Sequence, residues 1–246
     1  MDNSNIVIDK YTQLCPYGWG CEYPYNVKEI IGLIVKEFRR LISDRYYPKT
    51  ICLISNWEGD PEAASLDDIN AHWIRLNTDD LYWAQIIYQF SHEYCHHLIG
   101  KLSGELDGIH WFEESLCHMA SLYMLRRMKD VFCLSENNDF NRYAPEIYLY
   151  YAKTVNKITK AGDCLKDWVH DNMAYLRAPM YRRDMYDAIA ISILDVFENN
   201  QNLWDCLPFI GKVHFTGDER EYFDSLILAM PKDRRLVIKY FIDHIY

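Results

Sequence analysis

The stretch His92-Glu93-Tyr94-Cys95-His96 constrains the chain more than any other, because its chemistry demands one secondary structure. Two imidazoles four residues apart project from the same face of an α-helix, about one turn apart, and can grip a single cation together. A glutamate directly after the first histidine points beside that cation rather than into it. There it can take a proton from water. The pattern carries this meaning only if the surrounding chain is helical and another segment supplies a third ligand.

The surroundings read as helical. Thr78 is an expected N-cap, Asp79 and Asp80 suit the first turn, and the helix runs to about Leu98 and ends near Gly100. Lys101 to Gly108, with Gly104 and Gly108, reads as a flexible connection. A second helix then starts near His110 or Trp111 and continues to about Met128.

Upstream, residues 1–26 are rich in aromatics, Gly and Pro, and the segment from Cys15 to Cys21 reads as a compact loop. Ile30, Ile31, Ile34, Phe38, Leu41 and Ile42 recur at helical spacing within 27–44. Ile51 to Ile54 is an expected buried strand, Glu58 to Asn70 an acidic surface loop, and His72 to Asn77 a second strand at a sheet edge. After the polar break Ser135 to Asn141 the pattern is helical over 142–160, 163–176, 182–198, 201–210, 219–229 and 231–244. The expected fold class is therefore α+β. Residues 1–130 form a small mixed sheet-and-helix part carrying the histidine helix, and 131–246 form a mostly helical lobe packed with it as one unit.

Composition excludes several function classes. The 246 residues carry a formal net charge of −10, whereas nucleic acid and anionic membranes both reward clustered Lys and Arg. The apolar runs Ile30 to Val35 and Ala188 to Leu194 are far too short to span a bilayer. The start Met1-Asp2-Asn3-Ser4-Asn5 lacks a secretory pattern, so the expected location is the cytoplasm. The eight cysteines are scattered without C-x-x-C pairs and are expected to be reduced, packed thiols. Cys95 within the pentad and Cys117 on the next helix are read as core packing, not as nucleophiles.

H-E-x-x-H is the arrangement of zinc-dependent peptide hydrolases, and a catalytic zinc takes three protein ligands and leaves a position for water. Trp111-Phe112-Glu113-Glu114-Ser115-Leu116-Cys117 supplies two candidate carboxylates on the following helix. Here the chain resembles the gluzincins, whose third ligand is a glutamate on the helix after the H-E-x-x-H helix. The resemblance is closest to the aminopeptidase and leukotriene-hydrolase branch, where that ligand lies in a W-L-N-E-G-F-A-like run. It covers about residues 70–200 and implies a thermolysin-like catalytic core, with Zn²⁺ held by His92, His96 and Glu114 and with Glu93 as general base. The spacer 97–113 is one residue shorter than that branch usually has, which keeps Glu113 open as an alternative ligand. Successive helical residues differ by about 100° in direction, so only one of the two faces the ion and the other is expected near the loop or substrate side. His118 lies one turn beyond Glu114, where several gluzincins hold an acidic residue that orients a metal-binding histidine. It is read either as such a support or as a packing residue. His72, His97 and His110 are read as surface or core residues.

The same branch places a tyrosine opposite the glutamate, and Tyr186-Asp187-Ala188-Ile189-Ala190 resembles that segment, with Tyr181 five residues earlier also in pattern. The resemblance implies Tyr186 as the oxyanion donor. Its substrate would be a peptide or protein, able to add as a strand beside His72 to Asn77. No G-x-M-E-N-type run precedes the histidines, and Gly59-Asp60-Pro61-Glu62 does not stand in for one, which tilts the expectation toward an endopeptidase or selective protease. The alternative is a catalytically silent metal-binding interaction protein of the same fold.

Overall fold

A computed structural model describes residues 4–22, 24–100, 102 and 108–246. The N-terminal three residues and most of the expected connection 101–108, including Gly104, lie outside the described residues. The architecture is mixed α+β. Among the described residues, five strands form one sheet: β1 (Ile6–Val7), β2 (Thr12–Leu14), β3 (Ile51–Asn56), β4 (Glu62–Leu66) and β5 (Ala71–Leu76). Their order is β1-β2-β3-β5-β4, with β2, β3 and β5 mutually parallel and the two outer strands antiparallel to their neighbours.

The second expected strand is not at the edge. β5 pairs with β3 from Ile51↔Ala71 to Asn56↔Leu76 and with β4 from Glu62↔Arg75 to Leu66↔Ala71, so both sides of its backbone are used. The edge is β4, in a segment expected to be loop. Its short, polar-flanked run has no alternation to betray a strand, and its pairing with β5 supplies what local propensity does not. β1 and β2 are strands ahead of the Cys15 to Cys21 loop, in a stretch with no expected element.

The strands alternate as a one-sided sheet should. Cys52, Ile54, Ile74 and Leu76 share one face and are buried, while Leu53, Ser55, Trp73 and Arg75 on the other are only partly so; buried Ala71, at the start of β5, is the exception. The buried face is covered by α1 (Tyr25–Leu41) and α2 (Trp83–Ile99). α1 follows its helical apolar stripe: Val27, Ile30, Ile31, Ile34, Phe38 and Leu41 point into the core.

α2 has no broad solvent face. Ile86, Ile87 and Tyr88 are consecutive and buried, and so are Glu93, Tyr94 and Cys95. It starts five residues later than Thr78, because that threonine is tied elsewhere. Its backbone N–H donates to Asn56 Oδ1 at 3.0 Å and its carbonyl accepts from the Asn56 amide. The Asp79 carboxylate takes the Leu81 N–H at 2.9 Å, closing a turn instead of a helix. Gly100 ends α2 in the left-handed region with φ +83°, its N–H bonded to the His96 carbonyl at 3.0 Å.

α3 (His110–Cys133) is buried continuously from Trp111 to Leu125 and lies against α2. The remaining helices are α4 (Asn138–Val155), α5 (Leu165–Leu176), α6 (Arg183–Asn199), α7 (Leu207–Ile210), α8 (Glu219–Ala229) and α9 (Arg235–Ile245). α4 begins earlier than its apolar pattern, since the Asn137 side chain caps the Asp139 N–H at 3.0 Å. The expected helix 201–210 divides into a 3-10 turn at Gln201–Cys206 and α7. α3 runs across the expected boundary at 130, and one cluster of buried apolar side chains extends from Ile6 to Ile245. No helix of the described residues is long and apolar enough to cross a membrane.

Candidate metal centre

Two buried helices side by side bring the pentad and the glutamate pair together. α2 presents His92 and His96, and α3 presents Glu114 from its second turn. One donor atom from each of these three residues lies within 4.8 Å of the other two. His92 Nε2 and His96 Nε2 are 3.3 Å apart; His96 Nε2 is 3.3 Å from Glu114 Oε1, and His92 Nε2 is 3.4 Å from Glu114 Oε2. A four-coordinate ion with bonds of about 2.0–2.1 Å separates its ligand atoms by about 3.3 Å, so this donor set fits one. The three side chains are only 14 %, 13 % and 7 % exposed, so the site is shielded by the core but not sealed.

The electrostatics suit a cation. Burial holds His92 down to about 4, which leaves a neutral imidazole with its lone pair available. Burial also opposes protonation of His96, but the Glu113 and Glu114 carboxylates outweigh it and raise that ring well above the ordinary histidine value. Glu114 is held far below the ordinary carboxylate value. Burial works against this, and the hydrogen bonds from His92 and His96 overcome it. An ion held by His92, His96 and Glu114 would take the place of the His96 proton and be drawn to the same Glu114 carboxylate.

Glu113 is not on the loop or substrate side. Its Oε1 lies 2.8 Å from His96 Nδ1, on the far edge of the ring from Glu114. A carboxylate there fixes the ring's orientation and raises the basicity of Nε2. Glu93 stands outside the converging set and is 5 % exposed; burial raises its carboxyl to about 7, with opposing influences from His96 and Glu114.

Tyr181, rather than Tyr186, has its hydroxyl at the site. Tyr181 Oη donates to Glu114 Oε2 at 3.2 Å. Tyr186 is buried with its ring against Tyr181 and His110, at centroid distances of 5.3 and 6.1 Å. His118 lies between Tyr181 and α6: Nε2 is 2.9 Å from Tyr181 Oη and Nδ1 is 2.8 Å from Asp187 Oδ1. His110 reaches Glu114 Oε1 at 3.5 Å from an exposed position. His97 pairs with His72 on β5, Nδ1 to Nδ1 at 2.9 Å, and burial lowers its pKa to about 3.

Cys95 and Cys117 are buried free thiols, and burial together with the neighbouring Cys95 pushes the Cys117 thiol well up, the opposite of an activated nucleophile. The Glu113 support had a legible signal, since a histidine ligating through Nε2 wants an acceptor on Nδ1 and a second glutamate stood beside the first. The Asp187 contact had none, being a product of tertiary packing. Comparisons with protein-family models, with curated proteins and with solved structures give no match.

Proposed function

We propose that this protein is a zinc-dependent peptide hydrolase of gluzincin type. The observation that carries the reading is the convergence of His92 Nε2, His96 Nε2 and a Glu114 carboxylate oxygen from two adjacent helices, with a buried Glu93 next to the first histidine. Two imidazoles and one carboxylate are the donor set of a catalytic zinc site with one position left for water. The succession of a one-sided sheet, a histidine helix and a glutamate helix supports a thermolysin-like core.

A zinc ion at such a site supplies Lewis acidity, lowering the pKa of water toward about 7 and polarising a carbonyl. The chain's own groups do the rest. Glu93, held near 7 by burial, accepts the proton of the attacking water on its carboxylate and hands it to the leaving amine. Glu113 keeps His96 turned so that Nε2 faces the ion. The Tyr181 hydroxyl supplies a hydrogen-bond donor for the oxyanion that develops as the carbonyl is attacked.

The substrate would lie extended along β4, which among the described strands pairs only with β5. Glu62 at the start of β4 is committed to an ion pair with Arg75 opposite it, which leaves it poorly suited to reading a free N-terminal amine. That favours an endopeptidase or selective protease over an aminopeptidase. The test is metal analysis of the purified protein followed by digestion of a peptide library with wild type and Glu93→Gln. Expected are one zinc per chain in both proteins and cleavage by wild type alone. Equal cleavage by both would remove Glu93 as the base, and a zinc-loaded wild type that cleaves nothing would favour a metal-binding interaction protein.

A further inference from the structure

We propose that Asp187 and His118 act as a relay whose purpose is to position the Tyr181 hydroxyl at the ion site. The proposal rests on reading His92, His96 and Glu114 as a metal centre, and it gives α6 a part in that centre.

Tyr181 needs such help. It is 50 % exposed and precedes α6, so packing alone does not fix its hydroxyl. Its oxygen is held by two contacts, Glu114 Oε2 at 3.2 Å and His118 Nε2 at 2.9 Å. One hydroxyl proton serves one acceptor, so while it goes to Glu114, or to an anion at the site, the tyrosine oxygen has to accept from His118 Nε2. When an ion draws on the Glu114 lone pairs, the His118 bond is what keeps the tyrosine beside the reacting atoms.

His118 is suited to this and not to ligation. It is 1 % exposed, and both ring nitrogens are engaged. Nδ1 faces Asp187 Oδ1 at 2.8 Å, and a carboxylate only accepts, so Nδ1 carries the hydrogen. With the Tyr181 hydrogen given to Glu114, Nε2 is the donor and the tyrosine oxygen the acceptor. Nε2 is 3.9 Å from Glu114 Oε2, and His118 is not part of the converging set. Asp187 is itself anchored, with Oδ2 3.7 Å from Arg183 Nε. Arg183 also donates to Tyr88 Oη at 2.9 Å, and that hydroxyl stands 3.3 Å from His118 Nδ1. The imidazole is thus gripped by α6 and α2 together. The Glu113 bond to His96 makes a second carboxylate support for that ring unnecessary, so position 118 is available for another task.

A double-mutant cycle tests this without depending on turnover. Zinc-loaded wild type, Asp187→Asn, Tyr181→Phe and the double variant are titrated with acetohydroxamate, a small zinc-binding anion that needs a nearby donor. Tyr181→Phe should weaken it about tenfold, as expected for losing one hydrogen bond to a charged group. Asp187→Asn should weaken it by nearly as much, and the double variant should be no weaker than Tyr181→Phe alone. The visible spectrum of the cobalt-substituted protein without the probe should be the same in wild type and Asp187→Asn, which a general loosening of the site would not leave. Wild-type affinity in Asp187→Asn, losses that multiply in the double variant, or loss of zinc from Asp187→Asn would each overturn the relay while leaving the metal centre standing. If Asp187→Asn does not fold, His118→Gln takes its place in the cycle with the same expected outcomes. A wild type that binds no zinc would instead sink the metal reading, and the relay with it.

Discussion

Glu113 and Glu114, adjacent in the chain, bracket a single imidazole: Glu113 Oε1 is 2.8 Å from His96 Nδ1 and Glu114 Oε1 is 3.3 Å from His96 Nε2. The carboxylate at Nδ1 holds the ring and, in the proposed centre, would strengthen it as a ligand. Glu113→Gln should therefore weaken zinc binding by about tenfold or more, the usual effect of removing such a support. Chelator competition measures this directly, and wild-type affinity in the variant would show the contact to be idle.

The two tyrosines near the centre should separate cleanly. Tyr181→Phe removes the hydroxyl that meets Glu114 Oε2 and should lower kcat on a cleaved peptide by roughly 10²-fold, with little change in KM. Tyr186→Phe keeps the buried ring and should leave kcat near wild type. The reverse ranking would return the donor role to Tyr186.

Burial raises the Glu93 carboxyl from 4.5 to about 7, which has a stability consequence of definite sign. Between those values the folded metal-free protein holds a proton that the unfolded chain has released, so stability falls as pH rises through this window. The total is at most about 3 kcal/mol, at about 1.4 kcal/mol per pH unit. Glu93→Gln does not titrate, so its stability relative to wild type should grow from pH 4.5 to 7 and then level off. Denaturant midpoints of both metal-free proteins at pH 4.5, 6 and 8 would reveal this; parallel curves would contradict it.

Gly108 has φ +95° at the entry to α3, and a Cβ there would run into the Phe215 ring. Gly108→Ala should therefore destabilise by about 1–3 kcal/mol. Gly100, at φ +83°, has nothing within 4 Å of the Cβ position, so Gly100→Ala meets the backbone strain alone and should cost less. Thermal melts of the two variants side by side check the ranking.

Long periodic segments were readable from the residues alone. α1 has its apolar stripe, and α8 (Glu219–Ala229) falls on the expected range, because helical spacing is local information. Strand order is not local. His72 to Asn77 alternates in character, but nothing in those residues says that Glu62–Leu66 closes the side expected to be open. Thr78 looks like a helix cap until Asn56, distant in sequence, takes both its backbone groups. The same division runs through the centre. His92, Glu93 and His96 follow from turn geometry on one helix, whereas the choice of Glu114 over Glu113 comes only from the resemblance to the gluzincins. The link from Asp187 through His118 to Tyr181 depends on how α6 docks against α3, which no spacing rule encodes.

Because α2 is walled in by the sheet and α1 on one hand and by α3 on the other, the two histidines ride on an enclosed part of the molecule. On the proposed reading, any breathing that admits a polypeptide would occur in what surrounds them, where Tyr181 ahead of α6 is half-exposed. A seat for an ion there would be set by packed helices, with access decided at its rim.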